Sequence, residues 1–384
     1  MGEANSARDT LINRGDRALR HRRNSLILGA LLTAVVVASS ACTPDSAPEP
    51  TPAVAARAAH TATLLADGRL LVAGGCDVDG CTTATGSSFL LSRTTSEPVA
   101  PLGHPRDAHT AVRLGTGQVL VVGGFGGEGQ PPLASAELFE PASRTWVPTV
   151  DLRLGRGGHA AAVLGDGRVI VAGGWVGPRR YTATTEIYDP VRGRFDPGPA
   201  LPVGVDGLAA TSLPDGTVLI TGGQRAPGVA SDAAVLVRRD GSTTESVGPL
   251  REARFKHTMI TLPTGEVLVI GGTSDDRTLL AGTEIFDPRT RRFRAGPTTS
   301  AGRYKLAGAA TLLPDGRVLV AGAGPGLEII DPVRFTSRPV ENVTPVYSAF
   351  STASVLGPDL RIVGGYDQNI RLTHTDLTVA LSEL

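Results

Sequence analysis

The sequence predicts an all-β fold: seven blades, each a four-stranded antiparallel sheet, closed into a β-propeller. Three observations carry this. The phrase "DGRVIVAGG" (166–174) returns as "DGRLLVAGG" (67–75), "TGQVLVVGG" (116–124), "DGTVLITGG" (215–223), "TGEVLVIGG" (264–272) and "DGRVLVAGA" (315–323), with a worn seventh copy ending at Gly365. The first position of each closing pair falls at 74, 123, 173, 222, 271, 322 and 364, so the intervals are 49, 50, 49, 49, 51 and 42. A period of that length marks a repeat architecture. Each unit also offers four short extended segments between turns, with no helix-period segment of useful length. One such blade cannot bury both its faces; stacked neighbours can, and a closed ring removes the open sheet edges.

The chain has 384 residues, 19% charged and 41% hydrophobic, with a formal net charge of zero, which suits a folded body. Its first 41 residues read as a leader. Arg14, Arg17, Arg20, Arg22 and Arg23 precede the apolar run "LILGALLTAVVVASS" (26–40), too short for a comfortable membrane span and right for a signal-peptide core. The run ends in "SSAC", which resembles a bacterial lipoprotein cleavage box, although Ser39 stands where such boxes favour Leu. The resemblance implies cleavage before Cys42 and a diacylglycerol on its thiol. Residues 42–56 then form a lipidated cysteine and a stiff tether, with four prolines in "TPDSAPEPTP". Export follows, with the protein anchored on the outer side of the cytoplasmic membrane or at the cell surface. Loss of the leader removes six arginines and three acids, leaving 31 basic against 34 acidic residues. Lysine occurs only at 256 and 305, and no basic run interleaved with aromatics appears, so nucleic acid is not an expected partner.

Residues 57–384 form the propeller. In the third unit "GGHAAAVL" (157–164) is a first strand of small and apolar residues, and Asp166-Gly167 turns it into "RVIVAGG". A variable loop leads to "TEIYDP" (185–190), a third strand that stops where proline removes a ladder donor. "GRFDPGPALP" (193–202) is the short fourth. The third-strand phrase recurs as "AELFEP", "TEIFDP" and "LEIIDP", and a fourth-strand aromatic as Trp146, Phe195, Phe293 and Phe335. Units one, four and seven depart from the phrase. The short last unit needs either 377–384 or a strand from 53–56 to complete it.

A glycine pair after an apolar strand, then an aromatic seven positions before a second, resembles the kelch motif. Phe139/Trp146, Tyr188/Phe195 and Phe286/Phe293 keep that spacing. The resemblance covers 57–384 and implies a seven-bladed kelch-type propeller that binds through loops at a rim.

The glycine pairs are not a phosphate cradle, because nothing helical follows them. Before the first strands a second phrase recurs: "RAAH" (57–60), "RDAH" (106–109), "RGGH" (156–159) and "RFKH" (254–257), with "RYKL" (303–306) in unit six and "VGVDGL" (203–208) in unit four. Repetition in register favours blade-to-blade packing over chemistry. The small residues after each copy place these strands innermost, so the phrase should ring one mouth of a central channel. There Arg57, Arg106, Arg156, Arg254, Lys256, Arg303 and Lys305 would stand against Asp107 and Asp206, giving a positive mouth suited to a carboxylated or sulfated partner. Residues off the pattern, Asp206, Lys256, Lys305 and Tyr347, are the stronger ligand candidates. Cys76 and Cys81, around an Asp79-Gly80 turn, are expected to form a disulfide; two cysteines without nearby histidine do not argue for a metal.

The reading that follows is a surface-anchored binding or scaffold module for a glycan or protein, monomeric, with no cofactor and no catalytic set. An enzyme is the alternative. The chain resembles copper galactose oxidases in its seven kelch blades, but it lacks their extra domain and a cysteine placed for a thioether to tyrosine. It also resembles a bacterial sialic-acid mutarotase, whose chemistry needs an acid and a base at one sugar. Glu137, Glu186, Glu284 and Glu328 sit in repeat register and are expected to be structural.

Overall fold

The computed structural model describes residues 54–341, 343 and 347–384. The leader, Cys42 and the tether up to residue 53 lie outside them. The described chain is a seven-bladed β-propeller, and its few helical residues lie in two short 3-10 turns, Asp79–Cys81 and Leu381–Glu383. Blades 1 to 6 are four-stranded antiparallel sheets built in chain order from the axis outward. In blade 3 the strands are Ala160–Val163, Val169–Ala172, Thr185–Asp189 and Arg194–Pro197.

The second strands explain why the repeated phrase is apolar throughout. Each is fully buried and faces a neighbour on both sides. Ile170 and Ala172 pack with Val218 and Ile220 of blade 4, while Val169 and Val171 pack with Leu120 and Val122 of blade 2. A strand covered on both faces reads as a continuous apolar run rather than an alternating one. The seven-residue aromatic spacing also has a geometric cause. Phe139 pairs with Trp146, Tyr188 with Phe195 and Phe286 with Phe293 directly across the outer hairpin, with ring centroids 5.1, 5.0 and 4.9 Å apart. Phe335 does not join this set. It lies in the turn before Thr336–Pro339 at φ 58° and is exposed, and Ser337 takes the place opposite Ile330.

The first strands line the axis, as the small residues require. Thr61–Leu64, Thr110–Arg113, Ala160–Val163, Ala209–Ser212, Thr258–Thr261, Ala310–Leu312 and Thr352–Leu356 touch in succession, and the seventh closes against the first. Blade 7 has three strands among the described residues: Thr352–Leu356, Asp359–Val363 and Asp376–Ala380. The C-terminal residues therefore supply its third strand, not its fourth. Val54, read from sequence as tether, is already buried among Leu70, Leu91, Leu356 and Val363, between blades 1 and 7.

Candidate functional site

The residue two after the arginine position of the repeated phrase, held by Val205 in blade 4 and Ser348 in blade 7, adopts the left-handed conformation in all seven blades. These are Ala59, Ala108, Gly158, Gly207, Lys256, Lys305 and Phe350, with φ between 46° and 63°. Each donates its backbone N–H to the carbonyl of its counterpart in the preceding blade, and Ala59 donates to Phe350. The result is a closed ring of seven hydrogen bonds, 2.7 to 3.4 Å long, around the axis. All seven residues line the mouth of a central cavity of about 330 Å³.

Behind the ring, each histidine of the phrase bridges to another blade. His109 Nε2 bonds Thr61 Oγ1 at 3.0 Å, His159 bonds Thr110 at 2.8 Å, His257 bonds Thr221 at 2.8 Å, and His60 bonds Thr352 at 2.9 Å across the closure. Burial, reinforced by Arg57, Arg156 and Arg254, holds His60, His159 and His257 down at about 3, and burial beside Arg106 lowers His109 as well. These rings are neutral bridges. They also account for the glycine pairs: a Cβ on Gly123 would sit 2.6 Å from the Arg156 carbonyl oxygen and 2.7 Å from His159 Cε1, at φ +62°.

The arginines do not reach the mouth. Arg106 is fully buried; its Nη1 donates to the carbonyls of Gly123 (2.9 Å) and Ser135 (2.8 Å), and its Nη2 to Glu137 Oε1 at 2.8 Å. Arg303 does the same with Gly322 (3.1 Å), Gly326 (2.8 Å) and Glu328 (3.0 Å). Arg156 pairs with Glu186 and Arg254 with Glu284. Arg57 faces the Phe89 ring at 4.6 Å, and burial draws its pKa down to about 10. Arg106 and Arg303 are thus removed from the ligand set, because both are buried with their terminal guanidinium nitrogens bonded inside the blade. The positive mouth expected from five arginines falls with them.

Among the sequence-derived candidates, the structure gathers Lys256, Lys305 and Asp206 on blades 4 to 6. Lys256 Nζ lies 2.7 Å from Asp276 Oδ1 and 5.1 Å from the Phe255 ring centroid. Lys305 Nζ lies 4.8 Å from the Tyr304 centroid and 5.1 Å from that of Phe350. Asp206 is buried next to Gly158, with Oδ1 lacking a hydrogen-bond partner among the described residues. Its pKa is pushed up to about 7 by burial, opposed by Lys256 and by a bond from Gln224. Tyr347 is half-buried and packs with Tyr304, Ala323 and Ala349, in the cluster that also takes in Phe350. Asp107 is buried on the opposite side, within 4.8 Å of the sulfurs of Cys76 and Cys81, which are paired with Cα atoms 5.2 Å apart. Paired with each other, those sulfurs are not thiolate ligands.

Sequence reading missed Asp276, Gln224 and Phe350. Asp276 lies in the variable loop after Gly272, and Phe350 sits in a unit with no recognisable phrase. The dipeptides Phe255-Lys256 and Tyr304-Lys305 were the available signal, since each places an aromatic ring beside its own lysine.

The Kelch motif family matches residues 156–202, the third blade. This chain is a seven-bladed β-propeller whose third blade carries a Kelch motif. Among solved structures, one titled "Structure of YjhT" superposes on this propeller with a TM-score of 0.55, over 74% of this chain and 97% of that one, at 14% identity. Likeness at that identity is one of fold. None of the curated proteins compared matches this chain.

Proposed function

We propose that this kelch-type propeller is an exported binding module, held to a membrane through a lipid on Cys42, which takes a glycan or protein partner at the mouth of its central cavity. The carrying observation is the uneven ring. Blades 1 to 4 place Ala59, Ala108, Gly158 and Gly207 at the mouth, whereas blades 5 to 7 place Lys256, Lys305 and Phe350 there. The ring bonds are the same in kind throughout, so the large side chains are not needed to close the propeller. Function in a repeat fold is to be sought where chemistry departs from the repeat.

A second reading, a sugar mutarotase or epimerase, is favoured by one group. A buried carboxyl with a pKa near 7 is suited to exchange protons at neutral pH. Asp206, buried against Gly158 behind the ring, would be that acid or base only for a sugar that passes the ring to reach it.

The test is a glycan array and a pull-down, each run with the wild type and with Ala59→Phe/Ala108→Phe. Phe350 shows that the left-handed site accepts phenylalanine, so this variant narrows the mouth without altering the ring. Binding lost in the variant supports the mouth as the site; binding retained refutes it. NMR of sugar anomers with wild type and Asp206→Asn then separates binding from catalysis.

A further inference from the structure

The charge around the mouth is divided in a way that selects ligand chemistry. Asp206 and Asp276 lie behind the ring and do not line the cavity, and neither do the five arginines. Among the described residues, the only charged side chains that line it are Lys256 and Lys305, both at its lip. The interior is neutral. His60, His109, His159 and His257 are held uncharged by burial, and the remaining wall is threonine hydroxyl and apolar surface from residues such as Ala160, Ala209, Leu208, Leu306 and Met259.

Both ammonium groups are largely withdrawn from water, with Lys256 7% and Lys305 6% exposed. Their side chains are held in place, Lys256 by its ion pair with Asp276 at 2.7 Å beside the Phe255 ring and Lys305 beside the Tyr304 and Phe350 rings. A dehydrated, positioned cation attracts an arriving anion more strongly than a hydrated one, because the local dielectric is lower and little ordering remains to be done. The walls beyond it would leave a second charged or heavily hydroxylated group poorly solvated.

We propose that the cavity takes a small amphipathic anion, a carboxylate or sulfate ester, with its head between Lys256 and Lys305 and its apolar body along the alanine and leucine walls. This rests on the mouth being the binding site and goes further by naming the chemistry of what enters it. A second anionic group, a long polyol or a cation does not suit the same arrangement.

Isothermal titration of the purified protein with octanoate, octanol and glucuronate tests it. These probes carry the head and body together, the body alone, and a carboxylate on a polar body. Octanoate is expected to bind one per chain, with octanol and glucuronate at least about tenfold weaker. Lys305→Gln should weaken octanoate by about tenfold or more, since a charged hydrogen-bond donor is lost, and Ala59→Phe/Ala108→Phe should abolish binding. Lys305→Gln leaves the Lys256–Asp276 pair in place, and its melting temperature checks that it folds. Octanol binding as tightly as octanoate overturns the anion site. Glucuronate binding as well as octanoate overturns the amphipathic ligand while leaving the mouth as a binding site. Silence of all three probes, with array binding still blocked by the narrowed mouth, overturns the inference alone.

Discussion

Acid should unfold this protein early, and the four bridging histidines determine how early. His60, His159 and His257 carry a pKa of about 3 in the fold, against 6.5 in an unfolded chain, chiefly because they are buried. Protons therefore bind the unfolded state first. The stability these rings contribute is fully present above pH 6.5 and drains away as the pH falls toward 3. Between about pH 7 and pH 5 each histidine costs about 2 kcal/mol, so the three together cost about 6. Asp206 acts with the opposite sign. Its folded pKa of about 7 lies above the usual 3.8, so acidification over the same interval returns about 2 kcal/mol. The net loss of about 4 kcal/mol is a large share of an ordinary domain's stability. The assay is urea unfolding at the two pH values for wild type and His159→Leu. Leucine is the natural control, because Leu208 and Leu306 fill the same position in blades 4 and 6 and pack against Gly173 and Gly271 as His159 packs against Gly123. The variant gives up the bond to Thr110 and should be about 1 kcal/mol less stable at neutral pH. Its fall in stability on acidification should nevertheless be smaller by about 2 kcal/mol. Equal falls in the two proteins would refute the assignment of these rings as neutral bridges.

Asp206→Asn should be the more stable protein at pH 8, by up to about 4 kcal/mol, and should show no gain at pH 4, where the wild-type carboxyl is already protonated in the fold; a gain that does not change with pH contradicts a buried carboxyl titrating near 7. In blade 3, Arg156→Val alone or Glu186→Val alone should cost about 3–5 kcal/mol by stranding a buried charge, whereas the double variant should recover most of that loss. Denaturant midpoints for the three proteins decide it, and a double variant as unstable as the sum of the singles shows the pair to be irreplaceable.

The fold was legible because every repeated residue answers a geometric demand that recurs in each blade. The apolar second strand is covered on both sides, the aromatic pair closes the outer hairpin, and the glycine pair makes room for the next blade's histidine and its own left-handed turn. The site was legible only in outline. Lys256, Lys305 and Asp206 stood out as breaks in the phrase, but the arginines beside them looked equally available. Sequence spacing places an arginine at the mouth without saying that its side chain turns back into the blade, where the Glu of the third strand, some thirty residues later, receives it. Asp276 was invisible for a related reason: it arrives from a loop of no fixed length, and only the folded chain brings it to Lys256.

Blades 4 and 7 show how arginine and glutamate belong together. Where blade 3 has Arg156 and Glu186, blade 4 has Val205 and Val235, and these two valines join one apolar cluster. Blade 7 has Ser348 at the arginine position and Leu377 opposite Ile362, again losing both partners at once. Blade 1 keeps Arg57 but sets Phe89 where the glutamate stands elsewhere, so the ion pair is one solution to a packing problem and not a requirement of the propeller. The same reasoning applied to the mouth gives the opposite result. Gly158 and Gly207 make the ring bonds without left-handed strain, whereas Ala59 and Ala108 already bear the Cβ strain of that conformation. Lys256, Lys305 and Phe350 accept that strain, at φ 57°, 55° and 61°, and the lysines add the cost of dehydrating an ammonium group. The Asp276 carboxylate and the Phe255 ring offset part of this cost for Lys256, as the Tyr304 and Phe350 rings do for Lys305, yet glycine would serve the ring bonds equally well. On the proposed function, a ligand in the cavity beneath them is what gives large side chains a use at positions where glycine would suffice.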